Sequence, residues 1–338
     1  MTKLMESKWH RIGWQGIEMT VPSEWDIAAV SGKGSTKGYL RVEDSELPRV
    51  EMKWAYEDGF VDLEKMVDDY LKKLKKGEKG GPKIDVNEDV QVVSKRKMQK
   101  KSLRCFEWLN PETNLRGYGA AWFCSDCRNA VITQVTAKEG EDGEAIAERV
   151  ISSIQDHGSG DWTRWATWSF DAQTPTGFEM TASQLMAGHI QLTFKRDAAA
   201  EDARSIMLQN VAKPEELTLA RWAPANVILK DTTLAEWAEE EMGSGLKRMK
   251  PEIEDAEIRG HQGLKVQAQR LWPHHKLFRT ICRFAEVPYA DRIRGRIWHC
   301  PESNSLHLVQ MLVDRTNEDL PDEVVERFIC HHEDNPEQ

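Results

Sequence analysis

Much of this 338-residue chain is written twice, and that repeat limits its possible folds more than any other feature. The first copy opens "WHRIGWQGIEMTVPSEWDI" and the second "WTRWATWSFDAQTPTGFEM". Trp9 falls on Trp162 and Pro22 on Pro175, and an aromatic residue, Trp25 or Phe178, follows each proline. "GYLRV" (38–42) then matches "GHIQL" (188–192). The run ending at Trp54 matches the run ending at Trp222, after a longer insertion in copy two, "KRDAAAEDARSIMLQNVAKPEE" (195–216). Further on, Cys105 falls on Cys282, "GAAWFC" on "GRIWHC" and "AVITQV" on "SLHLVQ". "HGSGD" (157–161), with its two glycines, is the natural joint. Two domains are therefore expected, at 1–157 and 161–335, which suits a chain of this length.

Within each copy the hydrophobic period changes along the chain. In "DLEKMVDDYLKKL" the residues Leu63, Met66, Val67, Tyr70 and Leu74 recur at helical spacing. In "TLAEWAEEEM" Leu234, Trp237, Ala238 and Met242 do the same, and Thr233 with Glu236 reads as a capping box. Strand-like runs follow, at about 90–108, 116–124 and 129–137 in copy one. In copy two they lie at about 262–271, 277–287, 293–300 and 305–313. Each copy closes on a helix, "EAIAERVISSI" or "DEVVERFICHH", with Ile146, Val150, Ile151 and Ile154 on one stripe and Val324, Phe328 and Ile329 on the other. Pro321 suits a first helical turn. Aligned this way, His332 falls on Ile154. Hairpin-length turns imply antiparallel pairing, and helical stripes need a sheet to bury them. The expected class is thus α+β: two tandem homologous domains, each an antiparallel β-sheet flanked by helices.

This order resembles the PsbP-like superfamily. The residues that carry the resemblance are Pro22 with Trp25, their counterpart Phe178, the "HQGLKVQAQR" run (261–270), the "WFC" and "WHC" strands and the "AERVISSI" ending. The superfamily includes photosystem extrinsic subunits, a Ran-binding nuclear-transport factor and Eag-type secretion chaperones. The resemblance implies a protein that binds other macromolecules rather than one that catalyses a reaction.

Composition removes several classes. With 40% hydrophobic and 30% charged residues the chain has the balance of a globular protein. A net charge of −10, most of it in the second copy, disfavours nucleic acid or an anionic membrane as a general partner. The basic runs "KKLKKGEKGGPK" (72–83) and "KRKMQKK" (95–101) read as solvated surface, with docking of an acidic partner as the alternative. There is no apolar run of spanning length, and the first residues lack a signal-peptide core. Six cysteines without a secretory signal then point to reduced thiols in a cytoplasmic protein.

The chemistry-bearing motifs are few. Cys124-Ser-Asp-Cys127 has metal-ligand spacing, but it stands in a strand-to-strand turn rather than at a strand-to-helix junction, which argues against a redox pair. A zinc site there would need two further ligands. Copy two offers Cys300 and Ser303 at the matching places, so the expected reading is a hairpin turn with partly buried thiols. "CHHED" (330–334) reads as a helix C-cap in which His331 and His332 complement the dipole. A metal site of those histidines with His299, Cys300 or His307 is the rival. His274 and His275 read as exposed.

"GKGSTKG" (32–38) is a loop and not a phosphate cradle, because it leads into a strand. Trp54 and Trp222 read as core or sheet-edge packing. No nucleophile elbow and no HExxH occurs, and acidic neighbours such as Asp68 and Asp69 do not share a helical face.

The expected function is a non-enzymatic protein-binding adaptor or chaperone-like protein with another protein as partner. It needs no catalytic, cofactor or metal residues, binds no nucleic acid, inserts in no membrane and acts as a monomer that imitates a dimer. The alternatives are a metal-binding module built on the cysteines and histidines, or an enzyme with a cleft between the copies.

Overall fold

The computed structural model describes residues 8–331, apart from 34–35, 77–83, 89, 95, 97, 99–101, 159, 197–213, 242–245, 247–248, 250, 270–272 and 285–288. The chain divides into two compact units, Met1–Trp168 and Ser169–Gln338. Most of both basic runs, the middle of the 195–216 insertion, Met242 and His332 lie outside the described residues.

The first unit opens with β1 (Trp9–Trp14) and β2 (Ile17–Pro22), an antiparallel hairpin whose turn uses positive φ at Gln15 and Gly16. β3 (Asp26–Lys33), β4 (Lys37–Glu43) and β5 (Pro48–Tyr56) follow, then helix α1 (Leu63–Lys76) and the three-residue β6 (Asp85–Asn87). β7 (Ser102–Asn110), β8 (Leu115–Phe123) and β9 (Asn129–Ala137) form a meander, and α2 (Gly143–Ser153) comes after it. The main sheet is antiparallel with order β3-β4-β5-β9-β8-β7-β6. β10 (Trp162–Thr167) pairs with β1 at Gly13 and Ala166.

Alternation along the strands decides which helix lies on which face. Ala121 and Ile132, cross-strand partners, join Phe106 and Trp108 beneath Val67 and Leu71 of α1. Their neighbours Trp122 and Val131, fully buried and also partners, belong to the other face. α2 buries Ile146, Ala147, Val150 and Ile151 against β8, β9 and β2. Asp142 caps α2 by accepting from the Ala145 amide.

The second unit holds β11 (Phe170–Pro175), β12 (Glu179–Met186), β13 (His189–Arg196) and β14 (Glu215–Trp222). Short helices α3 (Ala225–Ile228) and α4 (Leu234–Glu241) lead to β15 (Glu252–Ile258), β16 (His261–Gln269) and helix α5 (Pro273–Phe284). β17 (Arg292–Cys300), β18 (Ser305–Val313) and α6 (Leu320–Glu326) complete it. The sheet order is β12-β13-β14-β18-β17-β16-β15, position for position that of the first unit. The capping box at α4 is complete: the Glu236 amide donates to Thr233 Oγ1 at 3.2 Å and the Thr233 amide donates to Glu236 Oε2 at 2.8 Å.

The α+β expectation is not met. Among the described residues 51% lie in strands and 20% in helices, so the chain is a β-rich antiparallel fold whose helices cover only parts of the sheets, rather than an α+β fold. The helical stripes are real, but α1 covers only the β7–β8 side of its sheet and α4 is two turns long. The extra strands come from segments without a strong period: β6, and the acidic β15, whose side chains are mostly exposed.

A second correction concerns the 277–287 run, which is helical over Pro273–Phe284. Leu277 and Ile281, like Phe278 and Cys282, stand four apart, and Pro273 opens the helix. Cys105 and Cys282 are consequently not counterparts: one lies on β7 and the other on α5.

Candidate metal centres

In the first unit the turn between β8 and β9 is closed by the Cys124 amide donating to the Asn129 carbonyl at 3.0 Å, with Arg128 at a φ of 58°. Cys124 ends up 1% exposed, while Cys127 is half-buried. After α2, residue Gln155 forms an antiparallel bridge with Glu18 of β2, with both amide–carbonyl bonds at 2.9 Å. This bridge carries the next two residues to the turn. Asp156 is 3% exposed, and the His157 Nδ1 lies 3.6 Å from Cys124 Sγ and 2.9 Å from Asp156 Oδ1. The second oxygen of Asp156 accepts from the buried Trp122 indole at 2.7 Å. One donor atom from each of Cys124, Cys127, Asp156 and His157 lies within 4.8 Å of the other three.

The second unit builds the same place with other residues. β17 ends on Cys300, fully buried, and the turn to β18 passes through Asn304 at a φ of 47°. After α6, Ile329 bridges to Asp171 of β11, its amide donating to the Asp171 carbonyl at 2.8 Å. Cys330 and His331 therefore take the places of Asp156 and His157. The Cys300 Sγ lies 3.4 Å from His331 Nδ1, and the Cys330 Sγ lies 3.4 Å from both His331 Nδ1 and His261 Nε2. His261, the first residue of β16, supplies the fourth donor. Its other ring nitrogen faces Glu302 Oε2 at 3.7 Å. Trp298 occupies the position of Trp122. Its indole N–H makes no hydrogen bond of ordinary geometry but favours the Cys330 thiolate.

These separations fit a tetrahedral ion. Zinc bonds of about 2.3 Å to sulfur and about 2.0–2.1 Å to nitrogen place neighbouring ligand atoms about 3.3–3.8 Å apart. Four of the sulfur–nitrogen separations, one in the first cluster and three in the second, are 3.4–3.6 Å and fall in that range, whereas the Asp156–His157 contact of 2.9 Å is shorter. Without a cation the same surroundings hold these thiols protonated. Burial, with Asp156 and Cys124 nearby, pushes the Cys127 thiol up to about 12. Burial and Cys300 push Cys330 up to about 11. Burial also lowers His261, against the pull of Glu302. Such thiols become thiolates when a cation supplies the opposing charge.

Of the residues singled out in the sequence, Cys124, Cys127, Cys300, Cys330 and His331 are thus brought into two clusters. His307 is not part of either: it is fully buried, stacked on Trp298 and held near-neutral, with burial lowering it to about 3. His299 is in neither cluster, and the side chains of His274 and His275 lie outside the described residues. Asp156, His157 and His261 were not singled out in the sequence. The alignment that set His332 on Ile154 is displaced, since the two bridges make Ile154 the counterpart of Phe328.

The 32–38 loop joins two antiparallel strands and does not lead into a helix. Trp54 is buried over Gly38, and Trp222 packs on Trp237 and stacks with His189. No helix among the described residues is long and apolar enough to cross a membrane.

No family model matches the sequence, and no curated protein matches it.

Proposed function

We propose that this chain is a non-enzymatic binding protein whose two β units are each locked by one structural zinc ion. The supporting observation is that equivalent places in two sheets of the same order hold two four-donor clusters, each with its donor atoms within 4.8 Å of one another. Paired thiolates with imidazole favour zinc over harder cations. All four donors come from the protein, which is the arrangement of a structural centre and leaves no position for substrate. Each ion would tie the end of a late strand to the segment that follows the last helix. The unit is then held closed at the point where its helix leaves the sheet. A scaffold locked in this way suits the presentation of a fixed surface to another protein, and this adaptor role is the reading carried forward from the sequence.

The test is the metal content of untagged full-length protein by inductively coupled plasma mass spectrometry. Two zinc ions per chain are expected, falling to one in Cys124→Ser and to one in Cys300→Ser. A chain without stoichiometric metal overturns the proposal.

A further inference from the structure

We infer that the two centres hold metal unequally: His261–Cys300–Cys330–His331 is the permanent site, and Cys124–Cys127–Asp156–His157 is the exchangeable one. This rests on the two-zinc reading above and adds a ranking to it.

Both sets contain two thiolates and one imidazole, so the comparison reduces to the fourth donor. In the first centre it is the Asp156 carboxylate and in the second an additional imidazole. Carboxylate oxygen is the harder donor and suits zinc less well than imidazole does. The carboxylate brings an extra negative charge, which pulls the other way, but that charge is already engaged. One Asp156 oxygen accepts from Trp122 at 2.7 Å and the other faces His157 at 2.9 Å. An ion entering the first centre must displace the second of these contacts.

The outer partners do not separate the two centres. His261 points its Nε2 at the cluster, but the Glu302 Oε2 lies 3.7 Å from its Nδ1, beyond hydrogen-bond length, and 3.4 Å from the Cys300 Sγ. Solvent access does differ. Each centre has two buried and two partly exposed residues, but the His261 side chain is 8% exposed whereas the His157 side chain is 37% exposed. A competing chelator therefore reaches the first centre more readily.

The experiment uses the full chain loaded with two zinc ions and mixed with excess pyridylazo-resorcinol, with release followed by absorbance. Two phases of equal amplitude and clearly separate rate are expected. Cys124→Ser should remove the fast phase and Cys300→Ser the slow one. Because either variant can fail to fold, a milder change gives an independent readout: Asp156→Cys, which installs the residue the second unit has at that place, should slow the fast phase.

Two zinc ions leaving in one phase overturn the inference while the two-zinc reading survives. A fast phase that disappears in Cys300→Ser overturns it as well. A single bound equivalent supports the ranking if Cys300→Ser abolishes it, and refutes the ranking if Cys124→Ser does. A chain that takes up no zinc removes both readings together.

Discussion

Replacing Trp122 by phenylalanine isolates one contact on which the first centre depends. Trp122 is fully buried, and its indole N–H donates to the Asp156 carboxylate at 2.7 Å. A hydrogen bond to a charged group contributes about 1.5–3 kcal/mol. Shortening the ring also leaves a void of roughly 40 Å³, which at about 24 cal/mol per Å³ costs about 1 kcal/mol. Together, Trp122→Phe should destabilise its unit by about 2.5–4 kcal/mol. The second unit offers a comparison. Trp298 is equally buried and makes no hydrogen bond of ordinary geometry, only a weaker contact to the Cys330 sulfur, so Trp298→Phe should cost less, about 1–2 kcal/mol. Native-state hydrogen exchange read by mass spectrometry on peptides from β8–β9 and β17–β18, with zinc saturating, assigns each opening free energy to its unit. Equal losses in the two variants would mean that the Asp156 contact contributes no more than the sulfur one, and the reasoning would fall with it.

Two further expectations concern the first unit alone. Burial raises Asp44, but the Leu47 and Glu46 amides, Arg49 and Lys138 outweigh it and hold the carboxyl at about 2, below the usual 3.8. A depressed carboxyl contributes stability that is present above the unfolded value and is lost as pH falls through the folded one. Asp44→Asn should therefore flatten the stability profile between about pH 4 and pH 2, removing about 1 kcal/mol after solvent screening; an unchanged acid limb in urea titrations would contradict this. Gly117 faces Trp108 so closely that a Cβ would lie 2.1 Å from its ring, so Gly117→Ala should cost about 1–3 kcal/mol and shift the Trp108 emission. A neutral effect on thermal unfolding would show that the ring moves aside freely.

The repeat laid Cys124 over Cys300, and the two residues do close equivalent strands. The rest of the clusters was hidden for identifiable reasons. The last helices differ in length, eleven residues in α2 and seven in α6, and a 3₁₀ turn at Arg315–Asn317 precedes the second. Matching the two by their apolar stripes displaced the ends by four positions, so Asp156 never met Cys330 and His157 never met His331. A search anchored on the last residue to touch the sheet would have found the match. His261 carries no local signal at all, because only the pairing of Gly263 with Trp298 brings the start of β16 beside the end of β17. The class was misread for a different reason. Amphipathic helices have a strong period, whereas β6 and β15 are short or acidic edge strands and have almost none.

Those edges limit how a partner can attach. Among the described strands, β3 and β12 are the same outer strand of the two sheets, and each is broken by a register shift at a matching place, Ile27/Ala29 and Met180/Ala182. The opposite borders end in a strand of three residues and in "EIEDAEI". Bulges, brevity and carboxylates all discourage an incoming strand from adding itself to a sheet. Attachment through side chains and loops is thereby favoured over extension of the backbone ladder, and the same borders discourage two copies from joining sheet to sheet.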